Sequence, residues 1–232
     1  MKSENPNISV IMSCFNSEKH VKSSVESILK QTYEDFEFLI IDDCSTDDTF
    51  NILKKYEAKD KRVKVFKNSK NLGLTKSLNI LIKKSKGLFI ARQDADDISK
   101  NDRLEYQIKF LQSSNFRCCT TRAKIKGSLK LIPKYSYIFP NNIIAKFKNP
   151  FIHGTLLIEK SLMNKIGGYD ERFVYSQDYK LFSDLLSKKE KVKIIKEPFY
   201  ILNMKGNLSS IKSVEQKYYS DCVKRKINPV SR

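Results

Sequence analysis

ISVIMSCFNSEKHVKSSVESILKQTYEDFEFLIIDDCSTDDT, residues 8–49, contains two short apolar runs, 8–13 and 36–41, each followed by polar residues. Between them Val21, Val25, Ile28 and Leu29 fall at i, i+4, i+7 and i+8, the spacing of one helical face. After the second run, Ser45 and Asp48 have capping-box spacing ahead of a helix carrying Phe50, Leu53 and Tyr56. The alternation continues outward. VKVF (63–66) reads as a third strand, and Leu74, Leu78, Leu81 and Ile82 repeat the helical spacing. LFIA (88–91) is a fourth strand, and Ser99 with Asp102 caps a helix bearing Leu104, Ile108 and Leu111. Four strand–helix alternations predict an α/β fold, a mostly parallel sheet flanked by helices.

The second half is less regular. Residues 116–150 mix basic and aromatic side chains with little period. FIHGTLLIE (151–159) reads as a strand and GGY (167–169) as a turn. A helix is predicted over 178–186, two strands that could pair at 192–195 and 199–202, and a basic helix over 214–227. A chain of 232 residues suits one good-sized domain. The expectation is a single unit over 1–232, with halves at 1–112 and 113–232.

No apolar run approaches the ~18 residues of a membrane span. The start, MKSENPNISV, lacks the apolar stretch of a secretory signal. Five cysteines, with no C-x-x-C spacing, suggest neither a disulfide framework nor a zinc site, so a reducing cytoplasm is expected. The net charge of +18 admits three readings: nucleic-acid binding, attraction to an anionic membrane or phosphorylated ligand, or a lysine-rich composition without functional meaning.

In open α/β sheets, ligands bind beyond the carboxyl ends of the strands. Three such ends are polar here: Ser13 to Asn16, Asp42 to Asp47, and Arg92 with Asp94, Asp96 and Asp97. If the chain stays extended past the fourth strand, Asp94 and Asp96 point to one side. Paired carboxylates suit Mg2+ or Mn2+, which are commonly held by one or two carboxylates and substrate phosphates. Asp97 and Asp102 read as helix-end acids. Neither G-x-G-x-x-G nor a P-loop is present, which disfavours dinucleotide dehydrogenases and P-loop enzymes. The IIDDCS end is similar to a phosphorylation receiver domain, but the third strand ends VKVFKNSK, without the phospho-accepting Asp such a domain needs.

With these residues in order, the chain resembles the family 2 glycosyltransferases of the GT-A fold. The likeness runs through residues 8–49, KNLGLTKSLN…KGLFIARQDADDISKNDRLEYQIKFL and NPFIHGTLLIEKSLMNKIGGYDERFVYSQDYKLFSDLL, or roughly 7–112 and 149–187. The order and spacing of the motifs are more specific than any one of them. The resemblance implies a GT-A (Rossmann-like) sheet with a smaller acceptor-side lobe. It implies inverting transfer of a sugar, most simply UDP-linked, to a glycan or lipid-linked glycan in bacterial surface-polysaccharide synthesis.

Site roles follow from the same resemblance. Ser13, Phe15 and Asn16 match the loop that meets the nucleotide. Asp43 matches the second Asp of the strand-end pair, suited to a uracil N–H. Lys76 lies where a basic residue would reach the diphosphate. Asp94 and Asp96 are similar to the first and last acids of the family's D-x-D, with Asp96 the ligand of Mn2+ or Mg2+. Asp178, in SQDY, matches the acid that serves inverting members as general base; a helix-end carboxylate capped by Ser176 is the structural alternative. His153 lines the sugar and acceptor pocket or is a satisfied core histidine. Arg92 offsets the local acid, and Arg103 and Gln107 are structural. Many relatives carry a histidine after the acceptor half; here YILNMKGNLSS has Met204 and Lys205, and Lys205 could replace part of that charge.

The expected partners are thus a nucleotide-sugar and a glycan acceptor, with no nucleic acid. Contact with the inner face of an anionic membrane would come through the basic C-terminal helix. Two other functions stay open on sequence. A sugar-nucleotide nucleotidyltransferase would want a glycine-rich basic loop where this chain has SCFNSEKH. A non-catalytic nucleic-acid- or membrane-binding protein would rest on charge alone.

Overall fold

The computed structural model describes residues 5–204 and 212–230. One sheet runs through both halves of the chain. Its first part alternates as the sequence predicts: β1 (Ile8–Cys14), α1 (Val21–Leu29), β2 (Phe36–Asp42), α2 (Thr49–Lys59), β3 (Val63–Lys67), α3 (Leu74–Lys84) and β4 (Phe89–Arg92). These four strands lie parallel in the order β3-β2-β1-β4, which places the carboxyl ends of β1, β2 and β4 side by side.

The rest of the chain extends this sheet with mixed polarity. It comprises β5 (Ile98–Ser99), α4 (Arg103–Gln112), β6 (Cys118–Ile125), β7 (Leu131–Ile132), α5 (Asn141–Ile144), β8 (Leu157–Glu159), α6 (Lys160–Ile166), α7 (Gln177–Ser187), β9 (Val192–Leu202) and α8 (Ser213–Arg225). Beyond β4 the order is β8-β6-β9-β5, with β7 on β6. β8 is antiparallel to both β4 and β6, whereas β9 is parallel to β6.

β1 is buried on both faces, which explains its unbroken apolar sequence. Val10 and Met12 pack with α1, α2 and α4; Ile11 faces the other way, onto α3, α6 and α7. Two apolar layers therefore sandwich the sheet and fix where its strand ends emerge.

Four local expectations are corrected. FIHGTLLIE is not one strand: His153–Thr155 forms a 3-10 turn, and only Leu157–Glu159 is β. Residues 192–195 and 199–202 do not pair with each other. They form one strand, β9, whose register on β6 shifts near Pro198, a residue with no N–H to give. The aperiodic 116–150 stretch contains β6, flanked by β8 and β9. Neither capping box forms: no side-chain cap bond is made at Asp48 or Asp102, and the Ser99 hydroxyl donates to Gln93 Oε1 instead.

The apolar side of α8 is used inside the fold, where Cys222 and Val223 pack with Phe173 and Tyr179. No helix among the described residues is long and apolar enough to cross a membrane.

Candidate active site

The loops after β1 and β2 are laced together. The Asn16 N–H donates to Ser45 Oγ at 2.9 Å, and the Thr46 N–H donates to Asn16 Oδ1 at 2.9 Å. Asn16 has φ 47°, a left-handed conformation that asparagine tolerates better than most side chains. Phe15, beside it, is an exposed aromatic at 49% relative accessibility, and Ser13 is partly buried.

Asp43 is buried and organises the start of α3. Its Oδ1 accepts from Asn68 Nδ2 at 2.7 Å and Leu72 N–H at 2.8 Å, and its Oδ2 accepts from Gly73 N–H at 2.8 Å. A carboxylate has about four lone-pair sites, so one on Oδ2 stays open. Gly73 adopts φ +84°, where a side chain would be strained. Lys76 stands exposed in the first turn of α3.

The loop after β4 is built by buried polar groups. The chain does not remain extended past the strand: it turns at Ala95–Asp96, and the Asp97 N–H approaches Asp94 O at 3.4 Å. Gln93 is buried and spans the turn, donating to Ser24 Oγ at 3.0 Å and to Asp97 O at 3.0 Å. Ser24 of α1 in turn donates to Asp94 O at 2.7 Å.

Three carboxylates in this loop have three fates. Asp94 accepts from the guanidinium of Arg92, which is fully buried. Asp97 is buried and accepts the Asn203 N–H at 2.7 Å; burial, followed by the charges of Asp94 and Asp96, pushes its carboxyl up to about 8. It is therefore not the helix-end acid expected. Asp96 receives no hydrogen bond from any other described side chain or backbone group. Burial and then the Asp94 charge raise its pKa.

This donor set fits a hard divalent cation that keeps water and phosphate ligands. No group of three or more His, Cys, Asp or Glu side chains among the described residues could enclose a metal on its own. Asp96 is the unpartnered carboxylate, beside the anchored Asp94, and one or two carboxylates are what Mg2+ or Mn2+ takes from a protein in such sites.

The second half closes on this loop. The Tyr200 hydroxyl of β9 accepts the Asp94 N–H at 3.1 Å and hydrogen-bonds the Asp97 carboxyl. Gly154 sits against the same pair: a Cβ there would lie 2.3 Å from the Tyr200 hydroxyl and 2.6 Å from Asp94 Oδ2. The His153 Nε2 lies 2.7 Å from the Tyr169 hydroxyl and 3.5 Å from Arg92 Nε. Arginine only donates, so Nε2 accepts and the ring proton is on Nδ1. Burial, reinforced by Arg92, lowers the His153 pKa to about 3, so the ring is neutral. Arg103 donates to Gly154 O at 3.1 Å and Gln107 to Thr155 O at 2.8 Å, in keeping with structural roles.

Asp178 lies in the first turn of α7 and accepts Asn149 Nδ2 at 2.7 Å. Burial raises its pKa against the backbone N–H groups that hold it, and the Asp94 charge adds to the rise. The two acids, from different halves of the chain, thus share one electrostatic environment. Ser176 does not cap the helix; its hydroxyl donates to Gln216 O at 3.1 Å. Lys205 lies outside the described residues.

Sequence reasoning missed Tyr169, Tyr200, Gly154 and Asn149 as site residues. Their motifs, GGY, FYIL, HGT and NPF, were visible, but nothing local to them shows that they converge on Asp94 and Asp178.

Comparison with known proteins identifies the family. The sequence model of the family described as Glycosyl transferase family 2 matches residues 9–169. The chain is similar to an uncharacterised glycosyltransferase of Methanocaldococcus jannaschii, 33% identical over 228 residues, covering 94% of this chain and 78% of that one. It is also similar to the UDP-Glc:alpha-D-GlcNAc-diphosphoundecaprenol beta-1,3-glucosyltransferase WfgD of Escherichia coli, 31% identical over 210 residues, covering 89% of this chain and 79% of that one. Among solved structures it matches the mannosyltransferase PcManGT of Pyrobaculum calidifontis, in complex with GDP-Man and Mn2+, with a TM-score of 0.76 at 15% identity, covering 99% of this chain and 67% of that one. That last likeness concerns the fold, and it agrees with the GT-A architecture expected from the sequence. The chain belongs to glycosyl transferase family 2.

Proposed function

We propose that the protein is an inverting glycosyltransferase that moves a sugar from a UDP-linked donor to a hydroxyl of a glycan or lipid-linked glycan in surface-polysaccharide synthesis. The observation that carries the reading is that Asp94, after β4 and two residues before Asp96, lies close enough to Asp178, at the start of α7, for its charge to add to the burial that raises the Asp178 pKa. The UDP donor and the lipid-linked acceptor are suggested by the activity for which WfgD is named. On this reading the chain is one GT-A unit, with 1–112 holding the donor and 113–232 the acceptor.

The residues then divide the work. Phe15 offers an exposed ring to the base, and Ser13 and Asn16 line the same loop. Asp43 has one lone pair for a base N–H while it holds α3 in place, and Lys76 faces the diphosphate. Asp94 is fixed by Arg92 and Tyr200 beside the ribose. Asp96 would hold Mn2+ or Mg2+, which supplies Lewis-acid neutralisation of the departing diphosphate. Asp178 takes the proton of the acceptor hydroxyl as its oxygen bonds to the anomeric carbon and the bond to the diphosphate breaks on the opposite face. A raised pKa suits this task, because a base is most effective when its pKa is closer to the working pH.

A thermal-shift panel of UDP-, GDP-, CDP- and dTDP-sugars, with and without Mn2+, tests the donor class. Stabilisation by UDP-sugars that requires Mn2+ is expected. Stabilisation by another nucleotide alone, or by none, would overturn the donor assignment.

A further inference from the structure

Between Glu105 and Glu159 the chain contains no Asp or Glu. Within that interval residues 129–148, which include β7 and α5, form an excursion between β6 and the 3-10 turn. It carries six large apolar side chains that are exposed: Leu129, Tyr135, Ile138, Phe139, Ile143 and Phe147. Leu129 is 91% accessible and Phe147 70%. Interleaved with them are Lys130, Lys134, Lys146 and Lys148, with Lys126 just ahead of the segment, all exposed and none in an ion pair with a described residue.

The excursion is fastened from its polar side. Arg122 Nε donates to Pro133 O at 3.0 Å and its guanidinium lies 4.5 Å from the centre of the Tyr137 ring. Asn141 Nδ2 donates to Val192 O at 2.7 Å, and the Tyr179 hydroxyl donates to Ala145 O at 2.6 Å. Backbone and half-buried groups are thus used to hold the segment, while large aliphatic and aromatic groups are left in water. Concentrated apolar exposure of this kind marks an interaction site.

We infer that residues 129–148 are a docking surface for an anionic lipid bilayer. Apolar groups and unpaired lysines together fit such an interface: the rings and aliphatic chains enter the acyl boundary and the lysines reach the lipid phosphates. A nucleic-acid groove would have little use for Leu129, Ile138 and Ile143, which offer neither charge nor a stacking plane. The C-terminal helix is a poorer candidate than its charge suggests. Its Cys222 and Val223 are buried in the fold, and Lys212 and Lys224 pair with Glu215 and Asp221.

The position has a consequence for the active site. Ala145 is held by Tyr179 and Asn149 by Asp178, consecutive residues of α7. Docking through 129–148 therefore sets the Asp178 side of the site at the bilayer surface. The inference concerns attachment and stands whether or not Asp178 is the base.

The chain has no tryptophan, so single reporters can be introduced. Phe139→Trp is expected to shift its emission to shorter wavelength with phosphatidylglycerol–phosphatidylcholine vesicles and not with pure phosphatidylcholine. Val214→Trp, on α8, is expected to keep an aqueous emission with both. In co-sedimentation of the full chain, Ile138→Ser/Phe139→Ser/Phe147→Ser should lose about tenfold or more in vesicle partitioning. Because those side chains are exposed, its melting temperature should match the parent's. An unshifted Phe139→Trp reporter, a shift at Val214→Trp instead, undiminished sedimentation of the triple variant, or tighter binding to duplex DNA than to vesicles would overturn the proposal.

Discussion

Arg92 makes the crowded carboxylates of the β4 loop tolerable. It is wholly buried and donates to Asp94; burial acts against its charge, and the Asp94 carboxylate beside it more than offsets that cost. Removing one partner of a buried pair leaves the other uncompensated, so Arg92→Met is expected to cost about 3 kcal/mol in a denaturant melt. A loss within a few tenths of a kcal/mol would contradict this role. Gly154 acts by absence of volume: Gly154→Ala should push Asp94 or Tyr200 aside. It should weaken donor binding about tenfold or more by titration calorimetry, since small displacements of positioned groups are costly. Asp178 gives the pH signature. A general base works deprotonated, and this carboxyl has its pKa raised from 3.8. Activity should therefore fall on the acid side at a pH above the ordinary aspartate range. Asp178→Asn should lose that limb with ~10²–10⁴ of the rate.

At the scale of elements, Glu37 shows how a buried acid joins neighbouring pieces. On β2 it accepts from Ser9 Oγ of β1 at 2.7 Å, from the Lys86 N–H before β4 at 2.6 Å, and from Lys64 Nζ of β3 at 3.0 Å. Burial works to raise its pKa, but these donors together bring it below 4.5. A lowered acid contributes stability that is present above its unfolded pKa and lost as pH falls through the folded one. Glu37→Gln should therefore destabilise by about 1–3 kcal/mol at neutral pH and flatten the loss of melting temperature below pH 4.5. An unchanged acid slope would refute the linkage.

The first four strands and their helices were legible because each packs its own apolar period onto the next element in the chain. Strand β6 was not, because it is central, bordered by β8 and β9, and Cys118 to Thr121 are all buried, so no alternation marks it. β9 was read as two strands because its partner lies some seventy residues earlier, and the shift near Pro198 looks like a break. Asp94, Asp96 and Asp178 stood out by motif and spacing. An extended chain does not bring Asp94 and Asp96 together, since Gln93 and Ser24 fold the loop into a turn. Tyr200, Gly154 and Asn149 reach the site through long-range packing, which leaves no local trace.

The whole molecule is one mixed sheet with its polar strand ends gathered from both halves. α3 shows how those halves are tied. Asp43 holds its start, Asn79 exchanges hydrogen bonds with Tyr169, and Thr75 donates to Phe173 O at 3.0 Å, just ahead of α7. Loosening Asp43 should therefore be felt at Asp178: Asp43→Ala is expected to lower both the melting temperature and turnover, whereas Lys76→Ala should lower donor affinity alone. The most direct test of the account is turnover of the UDP-sugar picked out by thermal shift, with Mn2+, by the parent chain, Asp96→Ala and Asp178→Asn, all checked for equal folding. The account predicts that Asp96→Ala loses metal-dependent donor binding and turnover together, and that Asp178→Asn binds donor with the metal yet turns over ~10²–10⁴-fold more slowly. Turnover that survives both substitutions would contradict it.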